Sequence, residues 1–266
     1  MSKQFNSNLT QNGSVEIEYY TQGDGEQAIV LLPGGSLNIN YLKGLSESLV
    51  GAEYMVILVN SRGAGKSSDF MTDEITLHDL ANDVANVIER IDKGKVVVVG
   101  HAFGNRVARM LVADHPELVC KVVLLATGGK VTPSQEAQKA LAVAFSNTST
   151  TEEYLDAMKV MVGNPKDEEI AWNAIKDSRA PNSGPIQTVA SKNTDINDWW
   201  APKSEIPFLA LQGTKDIIAP PENTKLLKQD LGAQLAVVEI EGAGHLMCVT
   251  KPDLTSNEIK KFLANS

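Results

Sequence analysis

The sequence predicts an α/β fold, a mostly parallel sheet flanked by helices and carrying an inserted helical cap. Three observations lead there. Short β-branched runs alternate with stretches of helical period, several of those runs end in glycine-bearing turns, and one long interval between two runs is helical in pattern. Continuous apolar runs are what parallel strands covered on both faces require.

Along the chain, Val15–Tyr20 alternates like a half-buried edge strand, whereas Ala28–Leu32 is continuously apolar and ends in Pro33-Gly34-Gly35. Tyr54–Val59 is a second buried-type strand, ending in Asn60-Ser61-Arg62-Gly63-Ala64-Gly65. From Thr76 to Ile91, apolar residues fall at Leu77, Leu80, Ala81, Val84, Val87, Ile88 and Ile91, a helical period. Val96–Val99 is strand-like and leads through Gly100–Gly104 into a helical stretch, Asn105–Leu111. Further strands are expected at Val122–Ala126, Phe208–Leu211 and Leu235–Ile240, and a last helix at Asp253–Leu263.

The interval from Ala126 to Ile206 differs in character. It holds helical stretches at Ser134–Phe145, Glu152–Met161 and Glu168–Lys176, with Pro181, Pro185 and all three tryptophans, Trp172, Trp199 and Trp200. A structureless loop of that length is uncommon inside a compact domain. The expected division is therefore a core of residues 1–129 and 204–266, with a cap at 130–203.

Hydrophobic residues make up 42% of the chain, ample for a core, and the net charge of −9 argues against nucleic acid or anionic membrane as partner. The acidic residues are dispersed, as on a solvated surface. Two cysteines exclude a disulfide framework and favour a reducing compartment. Cys120 reads as a small buried hydrophobe, and Cys248 has no adjacent base that would make it a nucleophile. The start, Met1–Asn6, is polar, and no run approaches the ~18 apolar residues of a membrane span, so a cytoplasmic protein with a small-molecule partner is expected.

Three sites carry the chemistry. Gly100-His101-Ala102-Phe103-Gly104 has the shape of the G-x-S-x-G strand-to-helix turn, with alanine where the serine stands. Asp216 follows the Phe208–Leu211 strand in Gly213-Thr214-Lys215-Asp216, and His245 follows Leu235–Ile240 in Gly242-Ala243-Gly244-His245. Loops at one edge of a parallel sheet bring distant residues together, and a histidine base needs a carboxylate behind it to fix its tautomer. Gly63-Ala64-Gly65-Lys66-Ser67 ends like a phosphate-binding loop, but Asn60 stands where that motif needs its first glycine, so its reading is structural. The four histidines are scattered, without metal-ligand spacing, and no metal or other cofactor is implied. His78 and His115 look ordinary, His101 neighbours position 102 in the turn, and Arg106, at the start of the following helix, could pair with a nearby carboxylate.

The order nucleophile position, acid, histidine resembles the α/β-hydrolase superfamily over nearly the whole chain. The resemblance implies that Ala102 occupies the nucleophile position, that Asp216 orients His245, and that His245 is the general base. It also places Pro33-Gly34-Gly35-Ser36 at the oxyanion loop, with Gly35, Ser36 and Phe103 as backbone N–H donors. Pro33 replaces the family's histidine there, which changes what supports the loop. The inserted helices resemble the family's cap, where Trp172, Trp199 and Trp200 are candidates for a pocket wall, with packing inside the cap as the other reading.

A methyl group cannot attack a carbonyl, so no acyl-enzyme forms through position 102 as written. Three readings follow. Ala102 replaces a serine in a hydrolase of small esters, lactones or amides. Alternatively, the alanine is native and the His245–Asp216 pair abstracts a proton, as in lyases or cofactor-free oxygenases. In the third reading the fold only binds a small molecule.

Overall fold

The computed structural model describes residues 4–51, 53–146 and 148–264, so the Met1–Lys3 part of the polar start lies outside them. Eight strands form one sheet: β1 (Asn6–Asn12), β2 (Val15–Gln22), β3 (Gln27–Leu32), β4 (Tyr54–Val59), β5 (Val96–His101), β6 (Val119–Leu125), β7 (Phe208–Gly213) and β8 (Leu235–Ile240). Their spatial order is β1-β2-β4-β3-β5-β6-β7-β8. The β1–β2 and β2–β4 pairs are antiparallel and every other pair is parallel, as the α/β expectation required.

The helices before β7 are α1 (Lys43–Leu49), α2 (Leu77–Ile91), α3 (Gly104–Asp114), α4 (Gln135–Phe145), α5 (Thr151–Val162), α6 (Glu168–Ile175), α7 (Ser183–Asn193) and α8 (Ile196–Trp199). After it come α9 (Pro221–Leu231), α10 (Met247–Thr250) and α11 (Pro252–Ala264). Local signals explain α2 best. Thr76 and Asp79 close a capping box, satisfying N–H groups that the first turn leaves over, and Asp92 ends the helix in the left-handed region. Its apolar stripe, Leu77, Leu80, Ala81, Val84, Val87 and Ile88, is buried against the sheet.

Two departures from expectation have physical causes. Val15–Tyr20 is not the sheet edge, because β1 pairs outside it from Asn6 opposite Thr21 to Asn12 opposite Val15. β1 reads Asn-Ser-Asn-Leu-Thr-Gln-Asn and buries only Thr10, so hydrophobic alternation cannot reveal it, and its polar exposure suits an edge. The insertion, in turn, shares the main core. Ile186 and Ala190 of α7, with Trp199 and Trp200, join the cluster under α2 and α3. Ala137, Ala140, Met158, Met161 and Ala171 of α4 to α6 join the cluster on the other side of the sheet.

The loop after β4 is fixed by buried charge. Arg62 meets Asp83 of α2 through two hydrogen bonds, 2.6 and 3.0 Å, and Asn12 donates to the same carboxylate at 2.8 Å. Buried Glu18 accepts from Asn60 Nδ2 at 2.8 Å and from the Lys66 N–H at 2.9 Å. A Cβ on Gly65 would collide with both Glu18 and Asn60. The N–H of Lys66, in the stretch that resembles a phosphate loop, therefore faces a carboxylate, which leaves no seat for an anion. Among the described residues no helix is long and apolar enough to cross a membrane.

Desolvation pushes the Asp83 carboxyl above its ordinary value against the pull of Arg62, so removing the guanidinium leaves a buried, uncompensated acid. Arg62→Ala is expected to lower the unfolding free energy by about 3–5 kcal/mol in urea titrations, and the double variant Arg62→Met/Asp83→Leu to recover most of it. Equal losses in both variants would show that the ion pair is not the source.

Candidate active site

The turn between β5 and α3 is closed by two contacts that admit no side chain. A Cβ on Gly100 would run into Gly104 and Asn105, and one on Gly104 into the carbonyls of Leu32 and Pro33. Between them Ala102 has φ of 50°, in the left-handed region. That conformation costs a non-glycine residue roughly 1–2 kcal/mol. It is held by the Ala102 N–H donating to Leu125 O at 3.0 Å and by the Asn105 N–H donating to Ala102 O at 3.2 Å. The Asn105 side chain adds bonds to the carbonyls of Leu125 and Ala126, 3.0 and 3.1 Å. The turn is thus fastened to the end of β6.

Asp216 and His245 are in hydrogen-bond contact. His245 Nδ1 lies 3.0 Å from Asp216 Oδ2, and the other carboxylate oxygen accepts from the N–H groups of Ile218 and Ala219 at 2.9 and 2.8 Å. Both side chains are buried, at 7% and 0% exposure. An ionised carboxylate can only accept at this contact, so Nδ1 carries the proton and Nε2 keeps the lone pair. Such a pair can accept a proton at Nε2 and stabilise the resulting imidazolium.

Of the three expected oxyanion donors, two are free. No acceptor among the described residues takes the N–H of Gly35 or Phe103, and a Cβ on Gly35 would lie 3.7 Å from Phe103 Cβ. The Ser36 N–H is already spent on Gln187 Oε1 at 2.9 Å. Ser36 itself has φ of 55°, a conformation clamped by that bond and by the Ala180 N–H donating to Ser36 O at 2.7 Å.

His101 links these parts. Its Nε2 lies 2.9 Å from the His245 carbonyl, which can only accept, so Nε2 carries the proton and Nδ1 is an acceptor. The Tyr41 hydroxyl, 2.9 Å away, donates to Nδ1 and accepts the Gly34 N–H at 2.7 Å. A continuous chain thus runs from the Gly34 loop through Tyr41 and His101 to the His245 loop. Burial is the main reason the His101 imidazole is lowered from 6.5 to about 3, with His245 adding to it. Nearby, burial raises the Cys248 thiol to about 12, an inert group.

The insertion grips both loops. The Asn38 N–H donates to Ser178 O at 2.7 Å beside the Ala180–Ser36 bond. On the other side, the N–H groups of Gly244 and His245 donate to Val162 O and Met161 O at 3.0 and 2.7 Å. The expected aromatic wall is only partly where it was placed. Trp172 stacks on Tyr154, ring centres 5.0 Å apart, within the insertion. Trp199 and Trp200 are not a pocket wall. They are 4% and 2% exposed and pack on the Arg109 guanidinium at 4.6 and 5.0 Å. Arg109, fully buried, bonds to the carbonyls of Asn105, Gly128 and Trp200. Arg106 likewise meets no carboxylate among the described residues; it lies over Trp199 at 5.5 Å and donates to Ser191.

Sequence reasoning missed Tyr41, Gln187 and the linking role of His101. Gly184 and Pro185 sit in the first turn of α7, where a missing N–H removes no helical bond. That helix carries Gln187.

Residues 27–252 match the alpha/beta hydrolase fold family, and the chain belongs to it. The uncharacterized hydrolase YugF of Bacillus subtilis is 24% identical over 275 residues, covering 94% of each chain. A 2-hydroxy-6-oxononadienedioate/2-hydroxy-6-oxononatrienedioate hydrolase of Paraburkholderia xenovorans is 30% identical over 128 residues, 47% of this chain and 44% of that protein. Among solved structures, an esterase from Exiguobacterium antarcticum superposes with a TM-score of 0.75 at 20% identity, covering 93% of this chain and 95% of that one.

Between about 3 and 6.5 the unfolded chain holds a proton on His101 that the folded chain refuses. Its contribution to stability is complete above 6.5 and is lost as pH falls towards 3, by about 1.4 kcal/mol per pH unit. Urea midpoints from pH 7 to 4 should therefore fall more steeply for the parent than for His101→Gln. Parallel curves would mean that His101 protonates in place.

Proposed function

We propose that the chain is built for hydrolysis of small carboxylic esters, lactones or amides and lacks only the nucleophile, so that it does not form an acyl-enzyme through Ala102. The observation that carries this reading is the left-handed backbone at Ala102, set beside a buried His245–Asp216 pair. A turn of that kind presents a side chain above the sheet edge. In this reading His245 is the general base, Asp216 its orienter, and the N–H groups of Gly35 and Phe103 receive the developing oxyanion. The stretch 130–203 acts as the cap over residues 1–129 and 204–266.

With a serine at 102, the hydroxyl oxygen would attack the acyl carbon while His245 Nε2 takes its proton. The tetrahedral oxygen would settle on the two free N–H groups, and His245 would return the proton to the leaving alkoxide. Water would repeat the sequence to release the acid. Without the hydroxyl, binding and oxyanion stabilisation remain, and removal of a nucleophile of this kind costs about 10⁴–10⁶ in rate.

Ala102→Ser is expected to gain fluorophosphonate labelling and turnover of short p-nitrophenyl esters, while the parent shows neither. Adding Asp216→Asn should reduce kcat of the serine chain by about 10⁴ through the wrong imidazole tautomer. A serine chain that neither labels nor turns over would sink the hydrolase reading. Proton abstraction by the His245–Asp216 pair would then be tested by deuterium exchange into carbon acids.

A further inference from the structure

Gln187, on α7, is 4% exposed and lies against the oxyanion loop. Its carboxamide is half used. Oε1 accepts the Ser36 N–H at 2.9 Å, whereas Nε2, shielded from solvent, has no hydrogen-bond partner among the described residues. The orientation is fixed by chemistry, since turning the amide over would set its N–H₂ against the Ser36 N–H. Buried donors normally find acceptors, and here the acceptor is missing beside a site made for an incoming oxygen. The location is specific. A Cβ on Gly35 would lie 3.5 Å from Gln187 Oε1, 3.7 Å from Phe103 Cβ and 3.7 Å from the Phe145 ring tip. Phe145 is 47% exposed, so this seat above Gly35 has one wall at the protein surface.

We propose that Gln187 recognises the ligand, its N–H₂ donating to an oxygen of an acyl group bound beside Gly35. This rests on the reading of the site as one for acyl compounds. The same carboxamide then serves two ends, holding Ser36 through its oxygen and reading the ligand through its nitrogen. The acceptor belongs either to the ester or to the released carboxylate, which share the same oxygen chemistry.

The test reads the amide directly on the chain with Ala102, which does not consume an ester. The Gln187 side-chain resonance in a ¹⁵N-labelled sample is assigned by its absence in Gln187→Glu, then followed during titration with methyl butyrate and, separately, sodium butyrate. A shift with the ester, the acid or both supports the proposal and identifies the source of the acceptor. An unmoved Gln187 resonance in both titrations overturns it.

Activity gives a second readout in the Ala102→Ser chain. Gln187→Glu keeps an acceptor for the Ser36 N–H but replaces the donor with a carboxylate, whereas Gln187→Met removes the donor and the Ser36 bond without adding charge. Gln187→Met should lower kcat/KM for p-nitrophenyl butyrate about tenfold, the worth of one hydrogen bond, and Gln187→Glu by more. An active serine chain whose Gln187→Glu form matches it would overturn the proposal. An inactive serine chain would sink the hydrolase reading alone, because the amide resonance is judged separately.

Discussion

The turn at Ala102 is the constraint to which the other parts are fitted. β5 must stop and α3 must begin within a few residues, with Gly100 pressed on Asn105 and Gly104 on the carbonyls at the end of β3. That closeness brings the start of α3 to the edge where β3 delivers Gly34 and Gly35. The parallel order β3-β5-β6-β7-β8 then carries Asp216 and His245 to the same edge from the far side. Ligands of open α/β sheets bind outside the carboxyl ends of the strands, and here the packing at Gly100 and Gly104 decides which strand end lies central.

Loops brought to one edge still need fixing relative to one another, and neutral groups do most of that. The Gly34–Tyr41–His101–His245 chain joins the loop after β3 to the loop after β8, and it holds only while His101 is uncharged, because a protonated Nδ1 could not accept from Tyr41. Backbone bonds from the insertion reach both loops as well, at Ser36 and Asn38 on one side and at Gly244 and His245 on the other. These helices are therefore tied to both loops as well as to the core. A displacement of α5 would act on His245 through its own N–H, and a displacement of α7 would act on Ser36 through Gln187.

Much of the sheet was legible because buried parallel strands write themselves as apolar runs. Positions 102, 216 and 245 were legible because each follows such a run in a glycine-bearing turn. The unread parts share a cause. β1 is polar, so it carries no hydrophobic signature, and α7 opens with Ser-Gly-Pro, which reads as a break although it is a helix start. Trp199 and Trp200 were set at a pocket because aromatic residues suit both cores and pockets. Only the position of Arg109, far along α3 from the turn, decides between them. Tyr41 and Gln187 act through contacts 60 and 151 residues away in sequence, and no local pattern encodes such pairings.

The left-handed residue at 102 has a second consequence that does not depend on its side chain. Turning the backbone there sets the direction of the following peptide, so the same strain that would aim a hydroxyl also leaves the Phe103 N–H without a protein acceptor beside Gly35. An alanine in that conformation keeps one half of what the turn accomplishes and loses the other. Stabilising an acyl oxygen is a property of the backbone, whereas attacking the acyl carbon is a property of the side chain. The alanine at 102 keeps the bonds to Leu125 and Asn105 that hold the turn. In the proposed hydrolase reading, binding of acyl compounds and their turnover are for that reason independent questions.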